Sequence, residues 1–491
     1  MKKLSDLIQG LPELLDVQGD MDTEIGSITS SSRDNMDRGL FFCIKGARFD
    51  AHDYAAEALE HGCVALVVER FLPLPVPQVR VSHGRSAMAR MAGAFYDWPS
   101  RKMKIFGITG TKGKTTTSYM FKSICEAAGY KCGLIGTTGT LIGDRRIASH
   151  LTTPDPVELQ QTLYAMVQAG VEVVGMEVSA HAIDMNRLEG MEFEAGCFTN
   201  FSQDHLDYFG TMDRYFETKK SFMVGGQIRN AVVNADEETV GRLMDGMKVP
   251  CVSYGICADA DLFARNLEIT ENGVSFEMLL HSMHPSIIHL RMTGMFNVYN
   301  ALAAAAMAMV LGVDAEKIRE GLEAIESVPG RIETLQTGTS YKVILDYSHS
   351  PDALKNILMT VREFARGRVI ALFGCGGDRD HGKRPQMGRI GGELADFCIL
   401  TSDNPRGEDP VEILRSIEKG IKPTGKPYVV IEDRREAIRY GLKMAKEGDV
   451  LILAGKGHET YQEIAGVRRP FDEKVVVQEL LDEMRAEDET V

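Results

Sequence analysis

The chain has 491 residues, a length that predicts about three domains, and its 44% hydrophobic content excludes disorder over the whole chain. The 55 Lys and Arg residues against 70 Asp and Glu residues give a formal net charge of −15, which argues against general binding to nucleic acids or anionic membranes. No apolar run approaches the ~18 residues that span a bilayer, and nine cysteines without a C-x-x-C pair favour a reducing cytoplasm over a zinc ribbon or a disulfide framework.

Residues 1–100 are expected to form a small α/β domain. Two strand-like runs, Gly39–Ile44 and Ala65–Val68, flank a helical stretch over Tyr54–Glu60. A second helix is predicted over Ser86–Tyr96, and the Pro-containing stretch that follows is typical of a linker. This region is therefore the first predicted domain.

Residues 101–330 alternate between strand-like and helical segments. The predicted strands are Lys104–Ile108, Val171–Val178 and Ala231–Asn234, and the predicted helices are Thr115–Ala128 and Asn300–Leu311. Such alternation predicts βαβ units, in which a mostly parallel sheet is covered by helices. This region is the second predicted domain.

A second series of strands begins after Val328–Arg331, where the alternation breaks. These predicted strands are Val343–Asp346, Val369–Phe373, Cys398–Thr401 and Val450–Leu453. Each is followed by polar and Gly-rich residues, and ligands of open α/β sheets bind at such positions. Residues 331–491 are thus predicted to form a Rossmann-like α/β domain, and the whole chain an α/β protein of three domains.

A Gly-rich loop lies between the first strand and the first helix of the central region. It consists of Gly110, Thr111, Lys112, Gly113, Lys114, Thr115 and Thr116. In such a loop the backbone N–H groups point at phosphate oxygens, Lys114 neutralises their charge and the Thr115 hydroxyl can hold Mg²⁺. Ile108 stands where the usual longer loop has its first glycine, so this is a shorter G-x-x-G-K-T variant. The order of strand, loop and helix predicts a P-loop domain that binds ATP.

Three further residues are candidates for the same site. Glu177 ends a predicted buried strand, where a carboxylate suits Mg²⁺, but the residue type alone is equally typical of a cap or a surface position. His205 lies in a polar cluster after an apolar run, and a lone histidine is more often structural. Lys219 precedes Lys220 on a predicted helix, and spacing alone indicates only a solvated helix edge.

Taken together, six segments resemble the Mur ligase family, the ATP-dependent amide-forming ligases of peptidoglycan precursor synthesis. Their order and spacing carry the resemblance, which runs nearly from end to end of the chain. The segments are Gly110–Thr116, Glu177–Ala182, Asp204–Tyr208, Gly294–Ala301, Pro329–Arg331 and Asp346–Leu354.

The resemblance implies roles for individual residues. Lys219 matches a lysine that CO₂ converts to N6-carboxylysine, which requires a neutral amine and hence a lowered pKa. The implied catalytic residues are Lys114, Glu177, His205 and Lys219, and the implied Mg²⁺ ligands are Thr115, Glu177, His205 and Lys219. Residues matching ATP contacts, besides the P-loop, are Asn297, Arg331, Asp346 and His349. Residues matching contacts to a UDP-muramoyl dipeptide are Ser30, Ser32, Thr152, Thr153, Ser179 and Arg187, with the loop Ala47–Phe49 in the uridine-binding region.

The third region resembles the branch of the family that adds meso-diaminopimelate. Its indicative segments are Gly374–Asp380, Asp403–Arg406 and Gly455–Glu459. The implied acceptor-binding residues are Arg379, Asp403, Asn404, Pro405, Arg406, Gly455 and Glu459. The implied reaction joins meso-2,6-diaminopimelate to UDP-N-acetylmuramoyl-L-alanyl-D-glutamate through an acyl phosphate, with residues 1–100 binding the UDP group, 101–330 ATP and 331–491 the amino acid.

Other interpretations stay open from the sequence. Asp403–Arg406 is also good turn chemistry, because proline fixes φ. Within the family, a lysine-adding or folylpolyglutamate-type ligase is the alternative; outside it, the alternatives are a P-loop kinase or regulatory ATPase and, last, a non-catalytic binding protein. The expected protein is a cytoplasmic monomer with small-molecule substrates, and neither nucleic acid binding nor membrane insertion is expected.

Overall fold

The computed structural model describes residues 1–46, 49–149, 151–270, 273–280 and 285–489. Within these residues the strands form three large sheets of five, eleven and six strands, in three consecutive parts of the chain, and two further two-stranded pairings. Ala47 and Arg48 of the predicted uridine loop lie outside the described residues. None of the described helices combines the length and apolar character needed to cross a membrane.

The N-terminal part builds a five-stranded sheet of order β2-β7-β6-β5-β4, in which only β2 runs antiparallel to its neighbour. The elements are β1 Lys2–Lys3, α1 Leu4–Leu7, β2 Leu14–Gln18, β3 Glu24–Ile25, β4 Ser27–Thr29, β5 Gly39–Phe42, α2 Ala55–Glu60, β6 Cys63–Val68, β7 Gln78–Val81 and α3 Gly84–Phe95. Apolar side chains of the sheet, among them Leu40 and Val67, pack with Met88 and Met91 of α3. The predicted helices and strands of this region all occur, with ends shifted by at most two residues.

The central part builds an eleven-stranded sheet of order β11-β10-β9-β12-β8-β13-β14-β15-β16-β17-β18. Its elements are β8 Lys104–Thr109, α4 Lys114–Ala127, β9 Cys132–Gly136, β10 Gly139–Ile142, β11 Arg145–Ile147, α5 Pro156–Gln168, β12 Val173–Glu177, α6 Ala180–Asp184, β13 Ala195–Phe198, α7 Leu206–Phe209, α8 Met212–Val224, β14 Ala231–Asn234, α9 Val240–Met244, β15 Cys251–Gly255, β16 Leu262–Thr270, β17 Gly273–Leu280, β18 Ser286–Leu290, α10 Met295–Leu311 and α11 Ala315–Ala324. Counted along the sheet, the neighbours β9-β12-β8-β13-β14-β15-β16 are parallel. The pairings at its two ends, β11-β10-β9 and β16-β17-β18, are antiparallel.

Close helix packing explains the Ala-rich composition of α10. Its residues from Ala301 to Ala308 are all fully buried, and the helix packs against α4 and the sheet. The neighbouring helix α11 approaches α4 so closely that a Cβ at Gly321 would lie 2.3 Å from the Cα of Ile124. Small residues therefore let three helices cover one face of the sheet beneath the P-loop.

The C-terminal part is a doubly wound sheet of order β19-β20-β24-β21-β22-β23, antiparallel only at β19. Its elements are β19 Glu333–Leu335, β20 Lys342–Asp346, α12 Pro351–Phe364, β21 Val369–Phe373, α13 Lys383–Leu394, β22 Phe397–Leu400, α14 Pro410–Ile421, β23 Tyr428–Val430, α15 Arg434–Met444, β24 Val450–Ala454, β25 Tyr461–Ile464, β26 Val467–Pro470 and α16 Glu473–Glu489. Ile344 and Ala371 face α12–α14, whereas the next residues, Leu345 and Leu372, face α15 and α16. Both faces are thus covered, and the predicted fold class is confirmed.

Candidate active site

The P-loop connects the end of β8 to the start of α4. Gly110 has φ +141° and lies so close to Thr199 that a Cβ there would meet its hydroxyl at 2.0 Å. The Lys114 ammonium donates to the carbonyl oxygens of Gly110 at 2.9 Å and Thr111 at 3.0 Å, and burial lowers its pKa to about 8. The loop therefore holds a cation at the N-terminus of a helix, where an anion is favoured.

A cavity of about 690 Å³, called the nucleotide cavity below, opens in front of this loop, between the central and the C-terminal sheet. All seven P-loop residues except Gly110 line it, together with Asn297, Arg331 and Asp346. Two contacts join the central and the C-terminal part here: the Arg331 guanidinium donates to the Thr115 hydroxyl at 3.3 Å, and Lys112 Nζ donates to Ser350 Oγ at 2.7 Å. This volume, with cations at one end, fits a nucleoside triphosphate.

Glu177 ends β12 directly beside the P-loop, because β12 pairs in parallel with β8 and Glu177 lies opposite Ile108. The carboxylate is fully buried and accepts hydrogen bonds from the Thr137 backbone N–H and hydroxyl, both at 3.0 Å. Glu177 and Thr115 line the same cavity and offer the oxygen ligands that Mg²⁺ prefers. No cluster of three His, Cys, Asp or Glu side chains suited to a metal occurs among the described residues.

Lys219 on α8 is buried rather than solvated, contrary to what its spacing indicates. Its Nζ donates to the Gly110 carbonyl at 2.8 Å and lies 4.8 Å from the centre of the Tyr215 ring. Burial, reinforced by the nearby Lys114, lowers the pKa of Lys219 well below its usual value. A neutral amine facing the nucleotide cavity is the form that reacts with CO₂.

His205 precedes α7 with a left-handed backbone, φ +55°. Burial lowers the pKa of its imidazole to about 4, and its ring centre lies 4.9 Å from that of His181. His205 and Lys219 both line the nucleotide cavity. The four residues implied as metal ligands by the resemblance therefore share one cavity.

Four of the six residues expected to contact the UDP-muramoyl dipeptide cluster beside Glu177. These four are Thr152, Thr153, Ser179 and Arg187. The Thr152 hydroxyl is hydrogen-bonded at 3.0 Å to that of Thr137, which also bonds to Glu177. The Thr153 hydroxyl donates to the Glu177 backbone carbonyl at 2.8 Å and accepts from the Ser179 N–H at 3.1 Å. Arg187 donates to the Thr153 carbonyl at 2.7 Å.

The other two, Ser30 and Ser32, lie elsewhere, in the loop after β4 of the N-terminal part. The Ser32 hydroxyl donates to Glu57 at 3.1 Å. Neither serine is among the described residues that line the cavity in front of the P-loop.

A second cavity, of about 390 Å³, lies at the carboxyl ends of the C-terminal strands and is called the acceptor cavity below. Its lining includes every predicted acceptor-binding residue except Pro405: Arg379, Asp403, Asn404, Arg406, Gly455 and Glu459. The nucleotide and acceptor cavities share lining residues, namely Asp204, His205, Tyr347, His349 and Asp352. The two cavities therefore adjoin, so that a group leaving one can react with a group held in the other.

The acceptor cavity is built from loops that hold one another. Arg406 has φ +52°, accepts the Ala465 N–H at its backbone carbonyl, and donates from its guanidinium to the Gly377 carbonyl at 2.8 Å. Burial raises the pKa of the Glu459 carboxyl, and the adjacent Lys456 opposes that rise. The acceptor cavity thus combines arginine guanidinium groups with the acidic side chains of Asp403 and Glu459. Such a lining suits an amino acid that carries both carboxylate and ammonium groups.

Several residues of this site were not singled out from the sequence. Tyr347, Asp204 and Lys456 lie inside segments that carry the family resemblance, but spacing does not show which way a side chain points. Asp204 forms an ion pair with Lys112 at 3.5 Å, and the Tyr347 ring lies 4.9 Å from the Arg331 guanidinium. The one feature of the sequence that could have indicated these three residues is their position within those segments.

Comparison with known proteins agrees with this geometry. A family model described as "Mur ligase middle domain" matches residues 108–308, and one described as "Mur ligase, glutamate ligase domain" matches residues 330–457. The UDP-N-acetylmuramoyl-L-alanyl-D-glutamate–2,6-diaminopimelate ligase 1 of Clostridium acetobutylicum is 43% identical over 471 residues, which cover 95% of this chain and 96% of that protein. The chain belongs to the Mur ligase family.

Solved structures extend the comparison for this Mur ligase. A UDP-N-acetylmuramoyl-L-alanyl-D-glutamate–2,6-diaminopimelate ligase is similar with a TM-score of 0.69 and 28% identity, covering 99% of both chains. The MurF ligase of Thermotoga maritima, solved in complex with ADP, has a TM-score of 0.62 and 18% identity over 93% of this chain and 96% of its own. At 18% identity, the similarity to the Thermotoga maritima structure shows a shared fold and nothing further.

Proposed function

We propose that this Mur ligase joins meso-2,6-diaminopimelate to UDP-N-acetylmuramoyl-L-alanyl-D-glutamate with the hydrolysis of ATP to ADP and phosphate, a step of peptidoglycan precursor synthesis. The observation that carries the proposal is the junction of a P-loop cavity with an acceptor cavity lined by Arg379, Arg406 and Glu459. Relatives at 43% identity that carry this name support the choice of substrates. The reaction would take place in the cytoplasm, on a monomer.

The first half of the reaction is proposed at the P-loop. The γ-carboxylate of the D-glutamyl residue attacks the γ-phosphorus of ATP, so that an acyl phosphate forms and ADP leaves. Lys114 and the α4 N-terminus stabilise the negative charge that spreads over the transferred oxygens. Thr115 and Glu177 would hold one Mg²⁺ ion, and His205 with carbamylated Lys219 a second; bound magnesium neutralises phosphate charge.

The second half is proposed at the acceptor cavity. The amine of diaminopimelate attacks the acyl carbon, phosphate leaves, and an amide remains. Arg406 and Arg379 bind the distal carboxylate, because a guanidinium pairs with a carboxylate through two parallel hydrogen bonds. Glu459 and Asp403 receive the distal ammonium. This assignment places the UDP group against residues 1–100, ATP against 101–330 and the amino acid against 331–491.

Phosphate release from ATP tests the proposal directly. The purified protein receives the UDP-linked dipeptide and Mg²⁺, with diaminopimelate, lysine or glutamate as separate acceptors, and Lys114→Met serves as the inactive control. Release is expected with diaminopimelate and nearly none without either partner. Release with lysine or glutamate instead identifies a different ligase of the same fold, and turnover without the dipeptide identifies a kinase or regulatory ATPase.

A further inference from the structure

Lys456 is a fully buried lysine behind the acceptor cavity, in the loop after β24. Its Nζ donates to Asn404 Oδ1 at 3.0 Å and to Glu459 Oε2 at 3.2 Å. Asp403 Oδ1 lies 4.0 Å from the same nitrogen. One ammonium group thus connects two loops that are about 50 residues apart in the chain, those after β22 and β24.

The three partners of Lys456 line the acceptor cavity, whereas Lys456 itself is not among the described lining residues. Any effect of Lys456 on an acceptor must therefore pass through Asn404, Asp403 or Glu459. The Glu459 carboxylate is in addition bonded by Asn404 Nδ2 at 2.8 Å. Lys456, Asn404 and Glu459 form a closed triangle of hydrogen bonds, of which only two members reach the cavity.

The orientation of the Asn404 amide is fixed by this triangle. Its Oδ1 accepts from Lys456 and also from the Glu463 backbone N–H at 3.0 Å, so its NH₂ group must face Glu459. Glu463 belongs to the β25–β26 hairpin, and Gln462 of the same hairpin donates to the Asp403 carbonyl at 2.9 Å. The hairpin and Lys456 together hold the Asp403–Arg406 segment from behind.

The charge of Lys456 matters more here than its volume. Taking an ammonium out of water is unfavourable unless carboxylates and hydrogen bonds compensate it, and an apolar side chain fills a purely structural position at lower cost. The titratable or charged groups that face Glu459 are Lys456, Asp403, Tyr347 and Tyr461. The cavity beyond them is lined by further titratable or charged groups, which are His181, Asp204, His205, Asp207, His349, Asp352, Arg379, Asp380, Lys383 and Arg406. Of these neighbours, Lys456 is the cation bonded to the Glu459 carboxylate.

We propose that Lys456 is a positioning residue for the acceptor: it holds the Glu459 carboxylate and the Asn404 amide in the orientation, and Glu459 in the charged state, that receive the far ammonium of a diamino acid. This inference rests on the proposed function of the acceptor cavity. It adds a basis for acceptor specificity, since the binding of an acceptor without a second ammonium is not improved by Lys456. Without Lys456, burial and Asp403 both favour the neutral form of the Glu459 carboxyl, whose pKa they raise.

Steady-state kinetics of Lys456→Met test the inference. The KM for diaminopimelate is expected to rise by about 10- to 100-fold, because a charge-assisted buried hydrogen bond is lost, while kcat and the KM for ATP stay within about threefold. The KM of the variant is expected to fall as the pH is raised, because Glu459, whose pKa burial raises, then regains its negative charge. Lys443→Met is the matched control, because Lys443 pairs with Glu487 at 3.1 Å on the exposed surface of the same domain.

A double variant separates positioning from general damage. If Lys456 acts through Glu459, then Lys456→Met raises the acceptor KM much less in a Glu459→Gln background than in the wild type, and the pH dependence disappears there. Lys456→Gln, which keeps one donor, replaces the methionine variant if the latter does not fold, and the same acceptor-specific rise is expected. An unchanged acceptor KM, or equal losses for ATP and acceptor, overturns the inference. If the wild type does not use a diamino acid at all, the proposed function fails first, and the two failures are thereby distinguished.

Discussion

Two sheet edges face each other across the site, and each contains a buried lysine with a different environment. Behind the P-loop, Lys219 bonds to the Gly110 carbonyl, and among the described residues no acid forms an ion pair with it. Behind the acceptor cavity, Lys456 bonds to Asn404 and forms an ion pair with Glu459. Burial without a carboxylate favours a neutral, reactive amine, whereas burial with a carboxylate yields a fixed ion pair. The same residue type is thus suited to modification at one edge and to positioning at the other.

The two edges also differ in how they are assembled. The P-loop cation site comes from one continuous strand, loop and helix, with Lys114 bonded to carbonyls three and four residues before it. The acceptor-binding residues predicted from the sequence lie in loops after three strands, which meet only when β21, β22 and β24 are aligned in one sheet. A local site tolerates changes elsewhere in the chain, and a composite site depends on contacts between its loops.

Removal of Lys219 is the largest test of the contrast. Lys219→Ala is expected to lower kcat by about 10³-fold, because the carboxylate that carbamylation would supply beside the transferred phosphoryl group is lost. Added formate or acetate is expected to restore part of the activity in the phosphate-release assay. Lys220→Ala, on the same helix, is the control and should leave kcat nearly unchanged. Near-normal activity of Lys219→Ala contradicts the assignment.

At the opposite edge, Arg406→Ala is expected to act on one substrate alone. The KM for diaminopimelate should rise by about 100-fold, since a charge-assisted contact to a carboxylate disappears, while ATP binding stays nearly intact. Titration of each substrate in the same assay measures both constants. Arg415→Ala, at an exposed pair with Glu412 in the same domain, is the control. An unchanged KM for diaminopimelate means that Arg406 is only a turn residue.

A smaller effect is expected from the residue that orients Glu177. Thr137→Val removes the hydroxyl bonded to the Glu177 carboxylate at 3.0 Å and keeps the shape of the side chain. The Mg²⁺ concentration for half-maximal activity should rise by about 10-fold, as is typical when a partner of a metal ligand is lost. Thr138→Val, whose hydroxyl bonds to Tyr119 instead, should not shift it. Equal shifts in the two variants speak against a metal at Glu177.

The smallest effect is expected in the pH dependence of stability, through the buried histidines His349 and His458. Burial lowers the pKa of His349 to about 3 and that of His458 to about 4, so the folded protein binds fewer protons than the unfolded chain between those values and the unfolded value of ~6.5. Stability is therefore expected to fall as the pH is lowered from about 7 to about 5. Thermal unfolding at several pH values measures this slope, and His458→Gln should reduce it. His289→Gln, on the exposed side of β18, should leave the slope as it is; a slope unaffected by His458→Gln rejects the explanation.

The prediction from sequence succeeded where a pattern is local. The P-loop was visible because strand, glycines, lysine and helix follow one another. The parallel strands β8, β12 and β14 of the central sheet were visible as apolar runs, whereas β9 and β15 were not predicted. The antiparallel strands β16–β18 at the edge of the central sheet were not predicted, and exposed residues interrupt the apolar pattern of β16 and β18. The prediction that residues 1–100, 101–330 and 331–491 bind one substrate each stays a prediction.

What the sequence determined by itself is therefore the local elements with a clear apolar pattern and the motifs that lie on them, since φ/ψ preferences and apolar periodicity act over a few residues. The family resemblance added Lys219, which its spacing left as a surface residue. Only the tertiary structure decided that Lys219 is buried next to Lys114, and that Lys456 reaches Asn404 and Glu459. Burial and the distance between charges depend on which strands become neighbours. Those two quantities, more than residue type, decide what a lysine can do.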